Sequence, residues 1–135
     1  MATFGSTSVN DAHVGVRVIV VDDDPDIRDL FVELLQMNNV NVVGTGVNGH
    51  EALELYKTHR PDFVLLDYLM PQYDGQYAIE KIREFDPNGK IILVSGSYFE
   101  NGGLGDNVKA IIKKPIEMSD ILNAINGTIL SASSM

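Results

Sequence analysis

The chain has 135 residues, 44% of them hydrophobic, which predicts one globular domain with a core of its own. Nineteen acidic residues against ten basic ones give a net charge of −9, which argues against direct binding to nucleic acid, whose phosphates recruit lysine and arginine. The lack of cysteine excludes disulfides and thiolate metal sites, and no apolar run approaches the roughly 20 residues a membrane helix needs.

Residues 1–15 carry neither the basic start nor the apolar stretch of a secretory signal and read as a flexible tail. Residues 131–135 read the same way, leaving 16–130 as the domain, with a cytoplasmic location expected. A first strand spans about Arg17 to Val21. Asp24-Pro25 then supplies an N-cap with proline at the first helical position. Ile27, Leu30, Phe31, Leu34 and Leu35 recur at helical spacing, so helix one runs to about Met37 with that stripe inward. Asn41 to Val43 forms a short second strand, broken by Gly44 and Gly46.

Asn48 caps helix two, with Glu51 completing a capping-box-like pair and Ala52, Leu55 and Tyr56 facing inward. Arg60-Pro61 ends it, because the residue before proline avoids helical angles. Strand three covers Asp62 to Asp67. After a turn-rich loop through Gly75, Ala78, Ile79, Ile82 and Phe85 define helix three. Asp86-Pro87-Asn88-Gly89 turns into strand four, Ile91 to Val94. The stretch Tyr98 to Val108 holds Gly102, Gly103 and Gly105, so a helix four there is expected to be short or distorted. Strand five (Ala110 to Ile112) precedes a last helix capped near Ser119, with Ile121, Leu122, Ile125 and Ile129 inward.

Unbroken apolar strands alternating with helices predict an α/β three-layer sandwich around a five-stranded parallel sheet with right-handed crossovers. The strands with the longest apolar runs, one, three and four, belong in the centre, giving the order 2-1-3-4-5. Ligands in such sheets bind beyond the carboxyl ends of the strands, at the point where the order reverses. Strand one ends there in Asp22-Asp23 and strand three in Asp67, while strand four ends in Ser95 and strand five in Lys113-Lys114-Pro115.

Three carboxylates offer hard oxygen ligands for Mg2+. Asp67 is the candidate nucleophile toward phosphorus, since a carboxylate can attack and become an acyl phosphate. Ser95 offers a hydroxyl to a phosphoryl oxygen, and Lys114 an ammonium to Asp67 or to that oxygen. Taken singly, each has an ordinary explanation: a solvated turn for Asp22-Asp23, a helix cap for Asp24 or Asp67, a loop serine, surface lysines. Alternation along strand five puts Lys113 and Lys114 on opposite faces, with Lys113 at the surface. His13, His50 and His59 lack metal-ligand spacing and read as surface residues. Tyrosines 68, 73, 77 and 98 read as rim packing.

In order along the chain, Asp22-Asp23, Leu66-Asp67 with Met70-Pro71 and Asp74-Gly75, Ser95-Gly96 and Lys114-Pro115 resemble the motifs of the response-regulator receiver domain of two-component signalling, of the stand-alone, chemotaxis-regulator-like kind. The resemblance covers about Val16 to Asn126. It implies a flavodoxin-like fold in which Asp67 accepts a phosphoryl group from a sensor histidine kinase or phosphotransfer protein. It also implies that Asp22, Asp23, Asp67 and the backbone carbonyl of Leu69 arrange Mg2+. Ser95 and Lys114 would hold phosphoryl oxygens and pass the change to a downstream protein target through strand five and its flanking helices. On this reading the chain is a phosphoacceptor that promotes its own phosphorylation and dephosphorylation, not an enzyme acting on other substrates. Two departures stand out. Ile111 is aliphatic where the family commonly carries a switchable aromatic, and the span from Ser95 to Lys114 is short. Two other readings compete: a phosphate-independent pseudo-receiver, and an aspartate-nucleophile phosphatase of the haloacid-dehalogenase type, which wants an acid where Leu69 stands.

Overall fold

The runs Phe63–Asp67 (β3) and Ile91–Ser95 (β4) are buried at every position, because helices cover both faces of the sheet they cross. A computed structural model describes residues 11–96 and 108–133. Within them, β1 (Arg17–Val21), β2 (Asn41–Gly46) and β5 (Ala110–Lys113) join β3 and β4 in one parallel sheet of order β2-β1-β3-β4-β5, the order expected. Four helices lie among the described residues: α1 (Pro25–Met37), α2 (Gly49–His59), α3 (Gly75–Phe85) and α4 (Met118–Ser133). The glycine-rich stretch where helix four was expected, like Tyr98, lies outside the described residues. No described helix is long and apolar enough to cross a membrane.

The two-residue period of β1 divides the core. Val18 and Val20 pack with Phe31 and Leu35 of α1 and Ile121 and Ile125 of α4. Ile19 and Val21 pack on the other face with Ala52 and Tyr56 of α2 and Ile79 and Ile82 of α3. Each valine, leucine, isoleucine or phenylalanine among them contributes about 1.5–3 kcal/mol by leaving water. Truncating Leu65, 1% exposed in the middle of β3, to alanine is therefore expected to cost about 2–5 kcal/mol.

The helix starts follow their caps. Asp24 Oδ1 accepts from the amides of Asp26 and Ile27, Asn48 Oδ1 from Glu51, and Asp74 Oδ1 from Tyr77. Arg60 ends α2 in the left-handed region (φ 46°), its amide bonded to Tyr56 O.

Several expectations need correction. The glycines do not break β2, which continues to Gly46 past a register shift opposite Val18 and Ile19. They serve the approach of α2: a Cβ at Gly44 would lie 3.0 Å from Leu55 Cδ2, and one at Gly46 3.1 Å from Leu55 Cδ1. Leu30 and Phe85 sit on the edges of their helical stripes and are exposed. Ser119 is not a cap, because the turn closed by Asp120 N–H on Glu117 O starts α4 at Met118. His13 is buried, its Nδ1 3.2 Å from Asn126 Oδ1 of α4, while residues 11–15 form turns tied to the body by Gly15 N–H on Asn39 O. His50 is exposed and His59 half-buried against β2.

Candidate functional site

Strand register alone brings the predicted residues to one edge. Val21 pairs with Leu66, so Asp22 and Asp67 follow side by side at the ends of neighbouring strands. Asp67 pairs with Val94, one residue short of Ser95, and Ser95 pairs with Lys113, one short of Lys114. Lys114 N–H donates to Ser95 O at 2.8 Å, and the Lys114-Pro115 peptide bond is cis. Lys113 is exposed on the opposite face, as alternation requires.

Carboxylate oxygens of Asp22, Asp23 and Asp67 lie within 4.8 Å of one another, with Asp22 and Asp67 buried and Asp23 exposed. The Lys114 ammonium sits 3.1 Å from Asp67 Oδ1 and 3.7 Å from Asp22 Oδ2. Asp22 is held from both ends: its Oδ1 accepts from Asp24 N–H, and its backbone carbonyl accepts from Arg28 Nη1, each at 2.9 Å. Sequence reasoning passed over Arg28, although it is the one basic residue of α1 and closely follows the aspartate run.

The charges do not balance. Burial pushes the Asp67 carboxyl above the ordinary carboxylate range, the bond from Lys114 pulls it back, and the charges of Asp22 and Asp23 push it up again. For Lys114, burial opposes the charge, but its contacts with Asp67 and Asp22 outweigh burial and raise its pKa above that of a free lysine. One firmly protonated ammonium thus faces three acids. Asp22 Oδ2 is buried with no hydrogen bond from any described residue. A buried carboxylate oxygen with no hydrogen bond, met by the Lys114 ammonium only at 3.7 Å and lying beside two other carboxylates, fits a divalent cation that takes oxygen ligands. Leu69 stands two residues past Asp67 and is 62% exposed, and its hydrocarbon side chain offers no ligand atom.

The loop between β3 and α3 closes on itself, with Gly75 N–H bonded to Tyr68 O at 2.7 Å and Tyr73 N–H to Pro71 O at 2.8 Å. Tyr68 and Tyr77 are half-buried and the Tyr73 ring packs 4.8 Å from Tyr77, which is the rim packing expected. Beside Lys114, the residues Ile27, Leu30, Phe31 and Leu34 of α1 with Pro115 and Ile116 line an apolar groove of about 300 Å³.

Residues 18–126 match the family model of the response regulator receiver domain. The chemotaxis protein CheY of Bacillus subtilis (strain 168) is 34% identical over 116 residues, covering 84% of this chain and 97% of that protein. CheY of Thermotoga maritima is 35% identical over 117 residues, again 84% and 97%. Among solved structures, a CheX–CheY–BeF3–Mg complex from Borrelia burgdorferi superposes with a TM-score of 0.78 at 28% identity, over 88% of this chain and 92% of that one. The response regulator TrrA of Thermotoga maritima, in complex with Mg2+ and BeF, gives 0.75 at 29%, over 83% and 97%. The chain belongs to the response regulator receiver family. Phosphorylation of an aspartate with Mg2+, and interaction with histidine kinases and downstream proteins, are general to that family.

Proposed function

We propose that this chain is a stand-alone cytoplasmic receiver in which Asp67 is the phosphoacceptor. The observation that carries the reading is the placement of Lys114 Nζ 3.1 Å from Asp67 Oδ1, with the carboxylates of Asp22 and Asp23 gathered beside it. In the reaction, a carboxylate oxygen of Asp67 attacks the phosphorus of a phosphohistidine. The P–N bond breaks, its electron pair stays on the imidazole, and the ring takes up a proton. Lys114 neutralises charge on a phosphoryl oxygen, and the Ser95 hydroxyl donates to another.

Asp22, Asp23, Asp67 and the Leu69 carbonyl would hold Mg2+. That ion supplies electrostatic stabilisation of the charge shared between the attacking and transferred oxygens. The phosphodonor is a protein. The apolar groove along α1 is continuous with the site through Lys114, which lines both, and supports docking of a sensor kinase or phosphotransfer protein there.

A bound phosphoryl adds a near-dianion with three acceptor oxygens and draws Ser95 and Lys114 inward together. The backbone bond between those residues makes one unit of the two responses. Ile111 is exposed and aliphatic, so the output to a protein target runs through that unit and not through a rotating ring.

The test is intact mass after incubation with acetyl phosphate and Mg2+. One added phosphoryl, absent in Asp67→Asn and without Mg2+, is the expected result. No adduct would leave a phosphate-independent interaction module, and turnover of varied phosphomonoesters would leave a phosphatase.

A further inference from the structure

The first turn of α2 touches the site only indirectly, through a contact that tolerates no side chain. Gly49 N–H donates to Tyr73 O at 2.6 Å. A Cβ on Gly49 would lie 2.6 Å from Asp74 O and 2.9 Å from Tyr73 O, against backbone atoms that cannot swing aside. From the same turn, the His50 ring lies 5.5 Å from the ring of Tyr73, which also lies 4.8 Å from the ring of Tyr77. The start of α2 therefore grips Tyr73 twice, by its carbonyl and by its ring.

What it grips is the closed loop carrying Leu69. The amide of Tyr68 is fixed to Val94 O of β4 and its carbonyl to Gly75 N–H, so residues 69–74 form a span anchored at Tyr68 and Gly75. Gly75 is as tightly placed: a Cβ there would lie 2.8 Å from Tyr68 Cα. Asp74, next to the gripped residue, caps α3 by accepting from Tyr77 N–H. A push on Tyr73 and Asp74 thus has few ways out except through the loop backbone that includes the Leu69 carbonyl.

We propose that Gly49 is a positioning residue for the metal site, setting the β3–α3 loop so that its backbone presents an oxygen to the ion; this rests on the Mg2+ reading given under Proposed function. Gly49 does not touch the ion. It allows the start of α2 to sit against the loop at a distance no other residue permits, and Tyr73 provides the surface against which it holds.

The experiment is Mg2+ titration of the full chain by calorimetry, with amide hydrogen exchange of residues 68–75 in EDTA, for the wild type, Gly49→Ala, Tyr73→Ala and Ala52→Gly. Gly49→Ala is expected to weaken Mg2+ about tenfold, as supporting groups around metal ligands do, and to speed exchange across the loop without any metal. Ala52→Gly, a buried change in the same helix, should lower the thermal midpoint and leave the affinity at the wild-type value. Gly49→Ala binding Mg2+ like the wild type, or Ala52→Gly weakening it as much, overturns the proposal. If Gly49→Ala does not fold, Tyr73→Ala decides, with weakened Mg2+ binding expected and unchanged binding overturning it. A wild type that ignores Mg2+ sinks the metal reading itself, a failure distinct from a wild type that binds while Gly49→Ala binds equally well.

Discussion

Tyr56 donates its phenolic proton to Asp86 Oδ2 across 2.6 Å, tying the C-terminal end of α2 to that of α3. Burial, and then the bond to Asp86, push the tyrosine far above its ordinary pKa, while the same bond holds Asp86 below the carboxylate range. Arg60 adds a guanidinium 3.9 Å from Asp86 Oδ2 and 4.5 Å from the Phe85 ring centroid, which explains how Phe85 can lie at the surface. Tyr56→Phe is expected to cost about 1.5–3 kcal/mol at neutral pH, the range for a hydrogen bond to a charged group. Because the folded-state pKa of Asp86 is depressed, this contribution is complete above the unfolded carboxylate pKa. It is lost as pH falls through the lower folded value. Urea unfolding of wild type and variant should converge only in strong acid.

Lys114→Ala leaves the acid cluster without its cation. In EDTA the expected loss is about 2 kcal/mol, less than for a fully buried pair because the side chain keeps 26% exposure to screening water. Millimolar Mg2+ should restore much of it, since an ion binding only the folded state stabilises that state. Urea midpoints with and without Mg2+ give the answer, and a variant indifferent to the ion would count against the cluster as a cation site.

Asp67→Asn should stabilise the Mg2+-free protein at neutral pH. Burial raises the folded-state pKa of Asp67, so the native state holds this proton more tightly than the unfolded chain does. Stability from that group is fully present below the unfolded carboxylate pKa and declines as pH rises through the folded value. The variant avoids the decline. Its advantage over wild type in EDTA is expected to be nil in acid, to grow just above the ordinary carboxylate range and to stay level through neutrality. An advantage that grew toward acid would have the wrong sign.

Leu30→Ser alters the α1 groove at a residue 56% exposed, so the stability change should stay within about 0.5 kcal/mol. Labelling by acetyl phosphate should be unaffected, because a small donor needs no docking surface. Transfer from a phosphorylated protein donor should slow several-fold, which phosphotransfer time courses with both donors can separate.

The site was legible because it is built at strand ends. Apolar runs set the strands, their order follows from which are most apolar, and register then carries Asp22, Asp67, Ser95 and Lys114 to one edge without long-range information. Burial on β3 and β4 was readable for the same reason. The contacts of glycine were less so. Gly44 and Gly46 look like breakers in a local reading, yet their role depends on Leu55 arriving from another element. His13 was misread because its partner, Asn126, is 113 residues away. Leu30 and Phe85 satisfy a helical period and still face outward, since periodicity marks a stripe and not which of its margins the neighbouring elements cover.

Lys114 borders the acid cluster on one side and the α1 groove on the other. On the function proposed above, whatever coupling this shared wall carries between the two places is reciprocal. By whatever factor a charge gained at Asp67 loosens or tightens a protein seated on α1, that protein must shift the phosphoryl equilibrium by the same factor. A donor that leaves more readily once its cargo is delivered is thus also one whose presence opposes keeping that cargo in place.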